Sequence, residues 1–159
     1  MFNVVNLKHR DTTENWIHIK DADGNLMFAD DEKKKPVRIK FKSVHGDAFR
    51  KAFFKMNVKL ARLKDGKKKQ YEELSENGAE LSPDDVIDGI TDAFLDAEEL
   101  AIDMITELAV DWDGFIDESG KPLGFKPEYL RFVISQIENY HVLQQIRDAF
   151  KGQEDFMKA

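Results

Sequence analysis

The 159-residue chain contains no cysteine, which removes disulfides, thiolate metal sites and cysteine nucleophiles. No apolar stretch approaches the roughly 18–20 residues that a membrane span needs. The opening Met1-Phe2-Asn3-Val4-Val5-Asn6-Leu7-Lys8 shows no basic flank followed by an apolar region, so no export signal is read there. A cytoplasmic, non-secreted protein is the expectation. Catalytic signatures are equally scarce. Gly-Lys at 66–67 and at 120–121 lacks the upstream glycine and the following Ser/Thr of a phosphate loop, and there is no nucleophile elbow. His9, His18, His45 and His141 never stand at zinc-ligand spacing. Aspartates are plentiful, yet an EF-hand counted from Asp21 puts Leu26 where glycine is needed, and one counted from Asp111 puts Phe115 and Ile116 in ligand and glycine positions. These aspartates read as turn residues. The sequence therefore predicts no catalytic residue, no metal, no cofactor and no enzyme.

What is present is a chain with 42% hydrophobic and 35% charged residues, enough for one domain with a single core. Its net charge of −7 is unevenly spread: residues 1–70 hold 18 Lys/Arg and 9 Asp/Glu, whereas 71–159 hold 6 and 22. Two halves of opposite sign either attract each other, within a chain or between copies, or form two solvated faces. The lysines at 33–42 and 64–69 also raise a nucleic-acid reading. The acidic total and the lack of an aromatic stacking motif make that the least favoured function.

Period-two alternation over Trp16–Lys20 and Val37–Lys42 predicts half-buried strands with Ile17, Ile19, Val37, Ile39 and Phe41 inward and Arg38, Lys40 and Lys42 outward. Asp21–Asn25 is a turn, Leu26–Phe28 a short returning strand, and Pro36 the start of the second main strand. Asp47 is expected to cap a helix whose apolar face is Phe49, Phe53, Met56, Leu60 and Leu63, ending at Lys64–Lys69. Residues 64–82 then read as a flexible connection.

Ser82-Pro83-Asp84-Asp85 opens the strongest helix in the sequence. Ile87, Ile90, Phe94, Ala97, Ala101, Met104 and Leu108 recur at alternating steps of 3 and 4, a heptad-like seam on a helix about 27 residues long, roughly 40 Å. The seam is either the core face of a monomer or a self-association surface of a homo-oligomer. A turn-rich segment from Asp111 to Phe125 follows, then a helix from Pro127 with Leu130, Val133, Ile134 and Ile137, an interruption at Asn139-Tyr140, and a last helix with Val142, Leu143, Ile146, Ala149 and Phe150. The expected fold is α+β in a single domain: an N-terminal antiparallel β-sheet plus helix over 1–63, the connection at 64–82, and a mostly α-helical half with one long helix over 83–159.

Two blocks carry a resemblance. The first is Trp16-Ile17-His18-Ile19 with Asp21 and Gly24, then Lys35-Pro36-Val37-Arg38-Ile39 and Gly46-Asp47-Ala48-Phe49-Arg50. The second is Trp112-Asp113-Gly114-Phe115, Gly120-Lys121-Pro122-Leu123, Phe125-Lys126-Pro127-Glu128-Tyr129-Leu130 and a C-terminal helix ending near Phe156. Their order resembles the small tail-assembly chaperones of long-tailed bacteriophages and prophages. Lys126 departs from the usual serine or threonine at that helix start, and the lysine-rich 64–82 stretch has no counterpart in the pattern. The resemblance implies a non-enzymatic protein of the host bacterial cytoplasm that binds the tape measure protein, hands it to the major tail protein and is absent from the virion. The runner-up is a structural tail or head–tail connector component. A partner surface is expected around Trp112, Phe115, Phe125, Tyr129, Val133 and Ile137; in the alternative, Trp112 and Phe125 pin the turn against the long helix.

Overall fold

The computed structural model describes residues 14–78 and 82–152. His9, the Met1–Lys8 segment and the Phe156-Met157 pair lie outside the described residues. Strands β1 (Asn15–His18) and β2 (Arg38–Phe41) pair antiparallel, placing Ile17 opposite Ile39. Ile17, Ile19, Val37, Ile39 and Phe41 are all buried, as their alternation predicts. Leu26–Phe28 forms only isolated bridges, to Lys20 and Pro36, rather than a strand. Met27 still links both neighbours, its N–H donating to Ile19 O (2.9 Å) and its carbonyl accepting from Val37 N (3.0 Å).

The sheet has a third strand that periodicity does not single out. Strand β3 (Ala109–Asp113) pairs antiparallel with β2 and sets Trp112 opposite Ile39. Three residues of alternation flanked by Asp-Gly read as a turn, and only pairing with β2 makes them a strand. A register shift at Lys40/Phe41 lets two β3 residues oppose one on β2. Because β3 comes from the second half of the chain, the two halves share one sheet and one core.

Four helices complete the fold: α1 (Asp47–Glu76), α2 (Pro83–Leu108), α3 (Pro127–Ser135) and α4 (Tyr140–Gly152), with a 3-10 turn at Ile137–Asn139. The expected cap is corrected: Gly46 is the N-cap of α1, and Asp47 follows in the first turn, where its charge favours the helix's positive end. The predicted flexible stretch at 64–82 is also corrected, since α1 continues through Gly66 to Glu76. One interior glycine costs only about 1 kcal/mol. Against that, Lys68 and Lys69 stand four residues before Glu72 and Glu73, and α2 packs alongside. At 30 residues α1 is longer than the 26-residue α2, which is the one long helix expected in the C-terminal half.

The start of α2 is as the sequence predicts. Ser82 Oγ accepts from Asp85 N, Asp85 Oδ2 accepts from Ser82 N, and Pro83 takes the first turn. The helices α1 and α2 run antiparallel, held by Lys67–Asp96 (3.2 Å) and Lys55–Glu107 (4.0 Å). Tyr71 packs over the bare Cα of Gly89, where a Cβ would fall 1.7 Å from the hydroxyl. The opposite charges of the two halves thus meet within one chain.

The core lies beneath the inner face of the sheet, built from the last two turns of α2, Leu130 and Ile134 of α3, and Val142, Leu143, Ile146 and Ala149 of α4. Each fully buried aliphatic side chain contributes about 1.5–3 kcal/mol. Gln145, buried on α4, closes the β1 edge: its Nε2 donates to His18 O (2.8 Å) and its Oε1 accepts from Lys20 N (2.9 Å). The other edge is blunted locally, with Asp111 Oδ1 accepting from Trp112 N (2.8 Å).

Candidate partner-binding surfaces

The aromatic cluster around Trp112 is built by β3 and the hairpin that follows it. The indole is 4% exposed; its Nε1 donates to Leu123 O at 2.7 Å. Phe115 stacks on it at 4.1 Å, and Phe125 meets it edge-on at 5.6 Å. Gly114 makes the close turn possible: φ is +80°, and a Cβ would lie 2.7 Å from Pro36 O. In the hairpin, Asp117 Oδ1 accepts from Ser119 N, Ser119 Oγ and Lys121 N. The Ser119 hydroxyl and the Lys121 amide hold this carboxyl below its ordinary pKa. Asp21 does the same work in its own turn, accepting from Asp23 N and Asn25 N. In both turns the carboxylate serves backbone amides, with a positive-φ glycine three residues on.

Of the six residues expected to meet a partner, Trp112 is buried, and Phe115, Phe125 and Val133 are half-buried against the core. Tyr129 and Ile137 are exposed, Ile137 at 85%. Phe132, at 67% exposure, and Tyr140 widen that patch; neither lies on the face that the spacing of Leu130, Val133, Ile134 and Ile137 marks out in the sequence. The start of α3 has no side-chain cap, and Lys126 instead places its ammonium 5.3 Å from the Tyr129 ring. Helix α3 is tied to α2 by Arg131, which pairs with Glu99 (3.0 Å) and with Asp103. Those carboxylates, Asp103 first, raise the Arg131 pKa further.

The heptad seam of α2 divides in two. Ala101, Met104 and Leu108 are buried in the core, and Ala97 is half-buried. Ile87, Ile90 and Phe94 are exposed at 59%, 65% and 54% on the part of α2 that extends past the body. On α1, Ala52 is the one residue fully buried among those described, and Phe53, Phe54 and Leu63 are exposed. Between the two helices, where α4 ends, lies an open apolar groove of about 380 Å³. Phe53, Met56 and Leu60 form one wall and Ala97, Leu100 and Ala101 the other, with Arg147 and Lys151 of α4 at its closed end. Phe150 fills that end, edge-on to Phe49 at 5.4 Å and to Phe41 at 5.2 Å.

The outward basic row of the sheet is largely engaged. Arg38 pairs with Asp113 through two nitrogens (2.8 and 3.0 Å) and lies 4.0 Å over the Trp16 ring; Lys40 pairs with Glu14 at 3.1 Å. Among the described residues no three His, Asp or Glu side chains gather as a metal site, and no helix is long and apolar enough to cross a membrane. Comparisons with protein-family models, with curated proteins and with solved structures find no match to this chain.

Proposed function

We propose that the chain is a non-enzymatic binding protein that shields apolar helical segments of a client, acting as a tail-assembly chaperone for a phage or prophage tape measure protein. The observation that carries this reading is the open two-helix groove, which continues a core face of α2 beyond the core itself. A groove between antiparallel helices accepts an amphipathic helix through residues at i, i+3, i+4 and i+7. Its walls are apolar, so a client helix gains by burial, and the flanking charged faces of α1 and α2 keep the complex in solution. The family resemblance supplies the identity of the client and of the major tail protein that would receive it.

The test is co-expression with the long, helix-rich protein encoded just downstream, read by solubility and co-purification. Wild type should render that protein soluble and bound. Leu60→Asp, which changes a groove wall, should lose it while far-UV circular dichroism stays unchanged. If the folded chain leaves that protein insoluble and is found in assembled particles, the structural tail or connector role takes the place of the chaperone.

A further inference from the structure

Resting on the client reading above, we infer that the segment this groove takes is an acidic amphipathic α-helix, with its apolar stripe in the groove and carboxylates along its flanks. Among the described residues, Arg147 and Lys151 are the only charged side chains lining the groove. Further along the arm a second open depression surrounds Ile90 and is lined by Lys64, Lys67, Lys68 and Glu72. Phe53, Leu60, Lys64, Lys67 and Tyr71 follow one another at steps of 7, 4, 3 and 4, which puts both depressions on the same side of α1. Together they hold five cations and one carboxylate. Phe53 and Ile90, exposed at 48% and 65%, supply apolar surface along the same track. The opposite side of this helix pair is balanced, with Lys55 and Lys59 beside Asp103 and Glu107.

This local sign runs against the charge around it. The chain carries a net −7, and α2 has nine Asp/Glu and no Lys or Arg. Four of those carboxylates are already paired within the chain: Glu99 and Asp103 with Arg131, Asp96 with Lys67 and Glu107 with Lys55. By spacing, Glu98 shares the Ile87–Phe94 edge of α2, and cations still outnumber carboxylates along the track. Lys64, Lys68, Arg147 and Lys151 make no ion pair among the described residues. From Phe53 to Lys68 the track is about 22 Å long, which matches about four turns of a client helix. Such a helix meets cations at both ends, Arg147 and Lys151 at the closed end and Lys64 and Lys68 toward the tip. Carboxylates on its flanks complete these cations, whereas a basic helix of the same apolar pattern sets like charges together.

The experiment is fluorescence anisotropy on the full chain with two labelled helical peptides of about 15 residues. Both carry the same leucine stripe; one has glutamate and the other lysine at the flanking positions. The net charge of the chain favours the lysine peptide, and the charge of the groove favours the glutamate peptide. The glutamate peptide should bind at least ~10-fold more tightly at low salt, with the difference shrinking at high salt. Lys64→Glu combined with Lys68→Glu should weaken it by roughly 10-fold. Lys51→Glu combined with Arg62→Glu, at exposed α1 sites outside both depressions, should leave its affinity within about twofold. Equal affinities, a preference for the lysine peptide, or a glutamate peptide untouched by the Lys64/Lys68 change overturns the acidic assignment and leaves the groove reading standing. Failure of both peptides to bind, or binding that Leu60→Asp does not weaken, removes the groove reading itself and this assignment with it. In that case a sedimentation mass of about twice the 18.4 kDa of one chain would put a second copy on this face.

Discussion

Within α2, the stretch Ile87–Phe94 and the stretch Ala101–Leu108 carry the same apolar spacing and meet opposite surroundings. The second is covered by the sheet, α3 and α4 and is buried; among the described residues the first has only α1 beside it, and its seam residues remain more than half exposed. A seam is a property of one helix, whereas burial is a property of what is packed upon it. The body of this protein is finished by its own chain, and the arm has apolar surface left over. That surplus is the physical basis of the client reading.

The sharpest way to probe this contrast is to truncate equivalent aliphatic residues in the two regions. Leu143, fully buried on α4, should lose about 2–5 kcal/mol of stability as Leu143→Ala. Ile87→Ala should cost under about 0.5 kcal/mol when measured by urea unfolding of the dilute, unassociated chain. Equal costs would mean that the arm is covered within a single copy. A smaller effect sharpens the description of α1. Gly66 has open space where a Cβ would be added and no positive φ, so Gly66→Ala should stabilise the chain by up to about 1 kcal/mol. A loss of stability in that variant would show that Gly66 holds a conformation outside the helix and that α1 breaks there, as the lysine-rich sequence alone suggests.

The smallest effect belongs to the hairpin beside Trp112. Asp117 has its pKa lowered from 3.8, chiefly by the Ser119 hydroxyl. A depressed carboxyl stabilises the fold above its unfolded pKa and loses that contribution as pH falls through the folded value. Ser119→Ala should move the Asp117 titration midpoint upward toward 3.8 in carbon-detected NMR. An unmoved midpoint would assign the shift to the Lys121 amide instead.

Local patterns made much of the body legible. Alternation located β1, β2 and their five inward residues, and Ser82-Pro83 with Asp85 located the start of α2. The aspartate turns followed from Asp-Gly chemistry. Other features were hidden because their causes lie far along the chain. The three-residue alternation in β3 becomes a strand by pairing with β2, some 70 residues earlier. Gln145 looks like an ordinary helix residue until it meets the backbone of β1. The continuation of α1 through Gly66 depends on α2 lying beside it.

The partner-surface candidates show the same division. Trp112 and Phe125 were visible as a motif, but only the tertiary structure turns the indole inward onto Leu123 O and leaves Tyr129, Phe132 and Ile137 outside. By itself the sequence determined the α+β composition, the amphipathic faces, the Ser82 cap of α2, the aspartate turns and the separation of charge, because each depends on residues a few positions apart. Tertiary structure alone decided which half of the α2 seam became core and which became free surface, because burial depends on contacts between distant segments and not on spacing along one.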